Sequence, residues 1–279
     1  MGITDWSPEI VHYTSLDKFA SILNSNELWF GNLTDLNDTQ ECDHFLDIVI
    51  PEFPSLIQGG AAFAGVLPIV REMVRTQTYV SSWCEYLPDR PDGKLSMWRA
   101  YANDGEGVGI VADSASFLPS AIKPANLGFH VSSSRVNYVR KEDVVAHAKD
   151  VIERLSRVHM FPVPVPEALA AAAIVAVKAV CVKHDGWFEE EEIRFLHFGG
   201  VPGLGKPEAL RQSGPRQFFA LGLQQYPEAQ FDFRPARILK KVVVGPKGDK
   251  AARAREVRRL LDAHGLGHVQ IAISDIPYR

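Results

Sequence analysis

One nine-residue run, Trp187-Phe188-Glu189-Glu190-Glu191-Glu192-Ile193-Arg194-Phe195, constrains the fold more than any other part of this chain. Successive side chains of a β-strand point to opposite faces. A strand through this run therefore places Glu190, Glu192 and Arg194 on one face and Ile193 and Phe195 on the other. The apolar side must pack on a core, while two carboxylates and a guanidinium line the opposite surface. Such a pair beside an arginine can hold one acid ionised and press the other toward a raised pKa, the starting material of acid/base or cation-stabilising chemistry. The competing structural account is an acidic edge closed by its own salt bridge.

Around this run the chain alternates irregularly between strand and helix patterns. Residues 10–14 read as a short strand, Ser15 as the cap of a helix on which Leu16, Phe19, Ile22 and Leu23 recur, and residues 28–30 as a second strand. A polar loop is expected over 32–41, and a connection over 51–60, where Pro51, Pro54, Gly59 and Gly60 fall. Further strands are predicted at 79–84, 108–112, 129–139, 238–244 and 269–273, and an apolar run over 218–223 follows a Gly/Pro-rich insertion at 199–215. Helical turns are predicted at 96–103, and helices at 142–158, 167–182 and 249–264. This mixture predicts an α+β fold. The 279 residues suffice for one large domain with a sizeable core.

The totals exclude several classes. Hydrophobic residues make up 46% and charged residues 23%, as in ordinary globular proteins, and the net charge of -4 leaves no electrostatic footprint for phosphate backbones. Nucleic acid as a partner is thus unsupported by charge, and the basic run from Lys240 to Arg255 reads as a solvated face. Cys42, Cys84 and Cys181 are odd in number and widely spaced, which predicts reduced thiols in a cytoplasmic protein and no metal site. The first eight residues predict no secretory signal. The apolar stretch 168–177 is too short to span a bilayer, so no membrane partner is expected.

Two other segments carry chemistry. His12-Tyr13-Thr14-Ser15 sets a histidine and hydroxyl groups where a strand gives way to a helix N-terminus, a place suited to ribose, amide or anionic groups; a satisfied structural histidine is the alternative. In Ser96-Met97-Trp98-Arg99-Ala100-Tyr101, Trp98 and Tyr101 share a helix face and can stack on a planar ring or plug a core. Gly105, Gly107 and Gly109 lead into a strand rather than follow one, so they are not a dinucleotide fingerprint. No P-loop, zincin or nucleophile-elbow pattern occurs.

The set H-Y-T-S, the acidic loop Asn37-Asp38-x-x-Glu41, the run S-M-W-x-x-Y-A-x-x-G-x-G, W-x-x-E-x-E-x-R and the closing residues 274–279 together resemble a widespread prokaryotic family known only as a domain of unknown function. That family in turn is similar to the ADP-ribosyltransferase superfamily in the order of its parts. The second resemblance implies one ADP-ribosyltransferase-like domain over 1–279, a split mixed sheet with flanking helices, and a helical insertion at about 141–185. It further implies NAD as substrate, with His12 at the adenosine ribose, Glu192 at the nicotinamide ribose and Glu190 as the other member of an E-x-E pair. Tyr13, Thr14 and Ser15 would line the same pocket. The middle role falls to Ser81 and Ser82 or to Trp98 and Tyr101, and Arg194 pairs with a pyrophosphate or with Glu192.

The implied reaction cleaves the nicotinamide–ribose bond and transfers ADP-ribose to an unidentified macromolecular acceptor, as toxins and phage-defence proteins do. A fixed carboxylate would stabilise the developing oxocarbenium charge. On this view Glu192→Gln removes activity at nearly constant melting temperature, and His12 and the acidic pair share one dinucleotide cleft. The alternatives are a non-catalytic nucleotide or ligand sensor with structural glutamates, and a metal-dependent nuclease using Asp38, Glu41, Glu190 and Glu192.

Overall fold

The computed structural model describes residues 9–35, 41–56, 61, 65, 67–114, 131–156, 175, 178–199, 210–226 and 231–278. In chain order its strands are β1 (Glu9–Thr14), β2 (Glu27–Asn32), β3 (Thr78–Tyr86), β4 (Val108–Asp113), β5 (Val131–Arg135), β6 (Asn137–Val139), β7 (Val182–His184), β8 (Glu192–Phe198), β9 (Leu210–Ser213), β10 (Arg216–Gly222), β11 (Gln225–Tyr226), β12 (Phe231–Asp232), β13 (Leu239–Val244) and β14 (Gln270–Ile273). The helices are α1 (Leu16–Ser25), α2 (Glu41–Leu56), α3 (Leu67–Gln77), α4 (Leu95–Tyr101), α5 (Val144–Ser156), α6 (Pro235–Ile238) and α7 (Lys250–Ala263). The fold is α+β, built on an open and mostly antiparallel sheet, with β13 and β14 its parallel pair among the described strands.

β3 is the hub of the sheet. One edge pairs with β8 along Thr78 to Cys84, and β8 passes the sheet on to β5. The other edge is shared by two strands: Cys84 to Tyr86 pair with β1, and Tyr79 and Val80 pair with β2. The sheet forks between them. On the β1 side it continues through β4, β13 and β14, and on the β2 side through β10 and β9.

Each face of this sheet is covered. Ile10, Tyr79, Trp83, Ile110, Ile193 and Phe195 point to one side, where Phe19 and Leu23 of α1 and Val257, Leu260 and Leu261 of α7 close the main core. Val11, Tyr13, Cys84, Tyr86, Val111 and Val243 point to the other, against Met97, Trp98 and Ala102. Burying each such large apolar side chain stabilises the fold by about 2 kcal/mol. A separate apolar cluster joins Phe45, Leu46, Val49 and Phe53 of α2 to Val144, Ala148 and Ile152 of α5 and to Val182.

Local chemistry explains most boundaries. The Ser15 hydroxyl accepts from the Lys18 N–H at 3.3 Å and caps α1, which ends at Asn26 with φ 53°. Asp249 caps α7 in the same way at 2.8 Å. The connection expected over 51–60 is corrected in its first part, because α2 runs to Leu56 through Pro51 and Pro54. Phe53, fully buried in the second cluster, anchors that turn, so tertiary packing overrides the proline signal. The helix expected at 167–182 lies largely outside the described residues, and Val182 opens a strand.

A buried four-charge cluster at the candidate site

The strand expected through 187–195 begins only at Glu192. Asp185 to Glu190 form a 3₁₀ turn, and Glu191 turns the chain with φ 45° before β8 starts. Lys94 holds this reversal at 2.7 Å from Glu191 and donates to the Glu189 carbonyl at 2.5 Å, and Arg90 reaches Glu191 at 3.2 Å. Glu190 therefore does not lie on a strand face with Glu192. It arrives from the turn, and the two carboxylates meet at a lysine.

That lysine is Lys183, on β7. Its ammonium lies 2.6 Å from Glu190 Oε2 and 2.8 Å from Glu192 Oε2. Arg194 grips Glu192 in a two-pronged pair, Nε to Oε1 at 2.9 Å and Nη2 to Oε2 at 3.1 Å, and its Nη1 donates to the Val180 carbonyl at 2.5 Å. The Tyr101 hydroxyl donates to Glu190 Oε1 at 2.8 Å, and the Tyr138 hydroxyl accepts from the Glu192 N–H at 2.8 Å. The four charged side chains are 1–9% exposed. Two positive and two negative charges thus close on one another with every carboxylate oxygen occupied.

Burial by itself would raise the Glu192 carboxyl, but the adjacent Arg194 and Lys183 charges overcome it and hold the group at about 2. Glu192 is a fixed anion at neutral pH: it can stabilise positive charge, and it has no proton to donate. Beside it on β3, the Cys84 thiol is pushed up by burial and by the Glu192 charge, which leaves it an inert packing group.

His12 occupies a different place. Val11 pairs with Cys84 and Cys84 with Glu192, so those three share a face; His12, beside Trp83 at 5.2 Å between ring centroids, belongs to the face of Ile193 and Phe195. The structure does not bring His12 and the acidic pair into one cleft. His12 sits in the fork of the sheet, where Ser81 to Trp83 pair with β8 on one edge but with no described strand on the other, and its Nδ1 lies 2.8 Å from the Ser82 carbonyl. A carbonyl only accepts, so Nδ1 carries the hydrogen and Nε2 the lone pair. Burial lowers the His12 pKa, which keeps the ring neutral.

The other expected site residues divide between the two places. Tyr13 and Trp98 lie on the Glu192 side as core: their rings meet edge to face at 4.9 Å, the Tyr13 hydroxyl accepts from the Lys94 N–H, and Trp98 donates to the Asp92 carbonyl. Ser82 is in register with Arg194, while its carbonyl serves His12. Thr14 is buried at the end of β1, and Ser15 is spent on its helix cap. Gly105 and Gly107 are packing positions: a Cβ at Gly107 would strike the Thr14 carbonyl, and one at Gly105 would lie 2.7 Å from the Tyr278 ring. Asp38 lies outside the described residues, as does the side chain of Glu41. Among the described residues no group of three or more His, Cys, Asp or Glu could hold a metal ion.

Sequence reasoning missed Lys183 and Tyr138. The available signal was a lone cation closing the apolar run Val180-Cys181-Val182, a position that must find a buried partner.

Fold and site together define an α+β protein whose forked antiparallel sheet carries a closed, buried ion-pair cluster. A family model described as Protein of unknown function (DUF2971) matches residues 97–195, so the resemblance to a family of unknown function is shown over that stretch. The match takes in Trp98, Tyr101, Tyr138, Lys183, Glu190, Glu192 and Arg194, while H-Y-T-S and the residues from 274 onward lie outside it. No curated protein and no solved structure matches the chain. Among the described residues no helix is long and apolar enough to cross a membrane.

Proposed function

We propose that the protein binds a nucleotide-type ligand at the fork of the sheet, through His12, and that Glu190 and Glu192 form an internal clamp rather than a catalytic pair. The observation that carries this reading is the His12 ring. It is half-buried and neutral, oriented by the Ser82 carbonyl, and it retains an Nε2 lone pair with no protein partner among the described residues. A ribose hydroxyl is the complementary donor, and the first turn of α1, with Lys18, favours an anionic group beside it. The clamp reading is supported by the donors on every oxygen of both carboxylates.

The second reading is NAD-dependent ADP-ribosyl transfer to a macromolecular acceptor. The forked sheet and the permanently ionised Glu192 favour it. It requires the four-charge cluster to open, or a carboxylate on the His12 face, where Glu85 sits ion-paired to Arg135.

Calorimetry with NAD, ADP-ribose and AMP, run beside an assay for nicotinamide release, separates the two. Binding that vanishes in His12→Ala and survives in Glu190→Gln, without nicotinamide release, is the expected result. Release that depends on Glu190 or Glu192 would establish the transferase instead. Absence of binding by all three ligands would eliminate both.

A further inference from the structure

We propose that residues 274–278 are a latch that keeps the four-charge cluster closed, acting through Tyr101. This goes beyond nucleotide binding and does not depend on it. Tyr101 is the cluster's contact with α4, and it occupies one oxygen of Glu190 at 2.8 Å. The segment carrying it is gripped near both ends by the strap. At the near end, Ser274 Oγ donates to the Asp92 carbonyl at 3.1 Å and the Asp275 N–H donates to the Asp92 carboxylate at 2.8 Å. The same carbonyl takes the Trp98 indole N–H at 2.7 Å, so strap and helix are tied at one atom.

At the far end the Tyr278 hydroxyl donates to the Asp104 carboxylate, which Lys247 also binds. The Arg99 guanidinium lies 5.3 Å from the Tyr278 ring centroid and the Lys247 ammonium 5.6 Å from it. The ring covers Gly105, whose φ of 81° and missing Cβ admit it. Lys250 anchors the strap itself, donating to the Ser274 carbonyl at 3.1 Å.

The consequence is mechanical. With both ends held, α4 keeps Tyr101 on Glu190, and Lys183 remains 4% exposed beneath it. With the strap lifted, α4 keeps the core packing of Met97 and Trp98 but loses the ties at Asp92 and Asp104, so its Tyr101 end can shift away from Glu190. Glu190 then loses its hydroxyl donor, and Lys183 becomes reachable from solvent.

The test is the rate at which an amine-reactive acylating reagent modifies Lys183, followed by mass spectrometry on the whole chain, with exposed Lys18 as internal reference. Tyr278→Ala should speed Lys183 modification about tenfold, the population shift expected when a hydrogen-bonded local contact is lost. Tyr101→Phe should do the same without disturbing the strap, and Lys18 should be unaffected in both. Tyr278→Phe, which keeps the ring and loses the bond to Asp104, should fall between wild type and Tyr278→Ala, and it decides the matter if Tyr278→Ala does not fold. Unchanged Lys183 reactivity in the Tyr278 variants overturns the proposal. So does a gain in the Tyr278 variants that Tyr101→Phe fails to reproduce, since the strap would then act by general loosening and not through Tyr101.

Discussion

Glu192 ties the stability of the buried cluster to its own charge. Its folded-state pKa of about 2 lies below the unfolded carboxylate value of about 4.3, so its ionised form favours the native state. That contribution is fully present above the unfolded value and is lost as pH falls from about 4.3 through the folded value. It amounts to roughly 3 kcal/mol. Thermal unfolding followed between pH 7 and pH 2 should show the loss in the wild type and a smaller loss in Glu192→Gln. At neutral pH that variant leaves Lys183 and Arg194 buried against half their countercharge, and it should be less stable by about 3 kcal/mol. This reverses the expectation, drawn from catalysis alone, of an unchanged melting temperature; an unchanged value would show that the clamp does not hold the fold. The exposed Arg90–Glu191 pair is the contrast case, where Arg90→Ala should cost only about 0.5 kcal/mol.

Turns position the elements of this fold as much as strands do. The glycines at 105 and 107 precede β4, as the sequence predicts; their packing role is visible only with their neighbours in place. Gly107→Ala forces a methyl group against the Thr14 carbonyl and the Ala102 backbone, and backbone atoms cannot step aside. We expect about 3 kcal/mol of destabilisation, read as a shift in the denaturant midpoint. An unshifted midpoint would show that β4 and the β1 terminus can separate at no cost. The 3₁₀ turn over 185–190 illustrates the complementary failure. An alternating charged and apolar pattern reads as a strand throughout, and the reversal at Glu191 depends on Lys94 and Arg90, about a hundred residues away in sequence.

Across the whole molecule, β3 is the strand on which both branches of the sheet and the β8–β5 extension depend. Amides of β3 and of its partner β8 should accordingly exchange hydrogen most slowly, and those of the outer strands β9 and β14 faster by orders of magnitude. Faster exchange in β3 than in β14 would mean that the fork is the first part to open, which would favour a site that must unfold to act.

The chain's local chemistry determined its α+β character, the cap of α1, the strand at 108–112 and the grouping of Glu192 with Arg194. Each of these follows from periodicity or capping within a dozen residues. Tertiary structure alone decided which residues share a face and which face a fork. A one-residue difference in strand parity separates His12 from Val11, and pairing register, set by contacts across 73 to 120 residues, turns that difference into opposite sides of a sheet. Lys183 became part of the site for the same reason: two buried carboxylates need a cation, and only the folded chain shows which one reaches them.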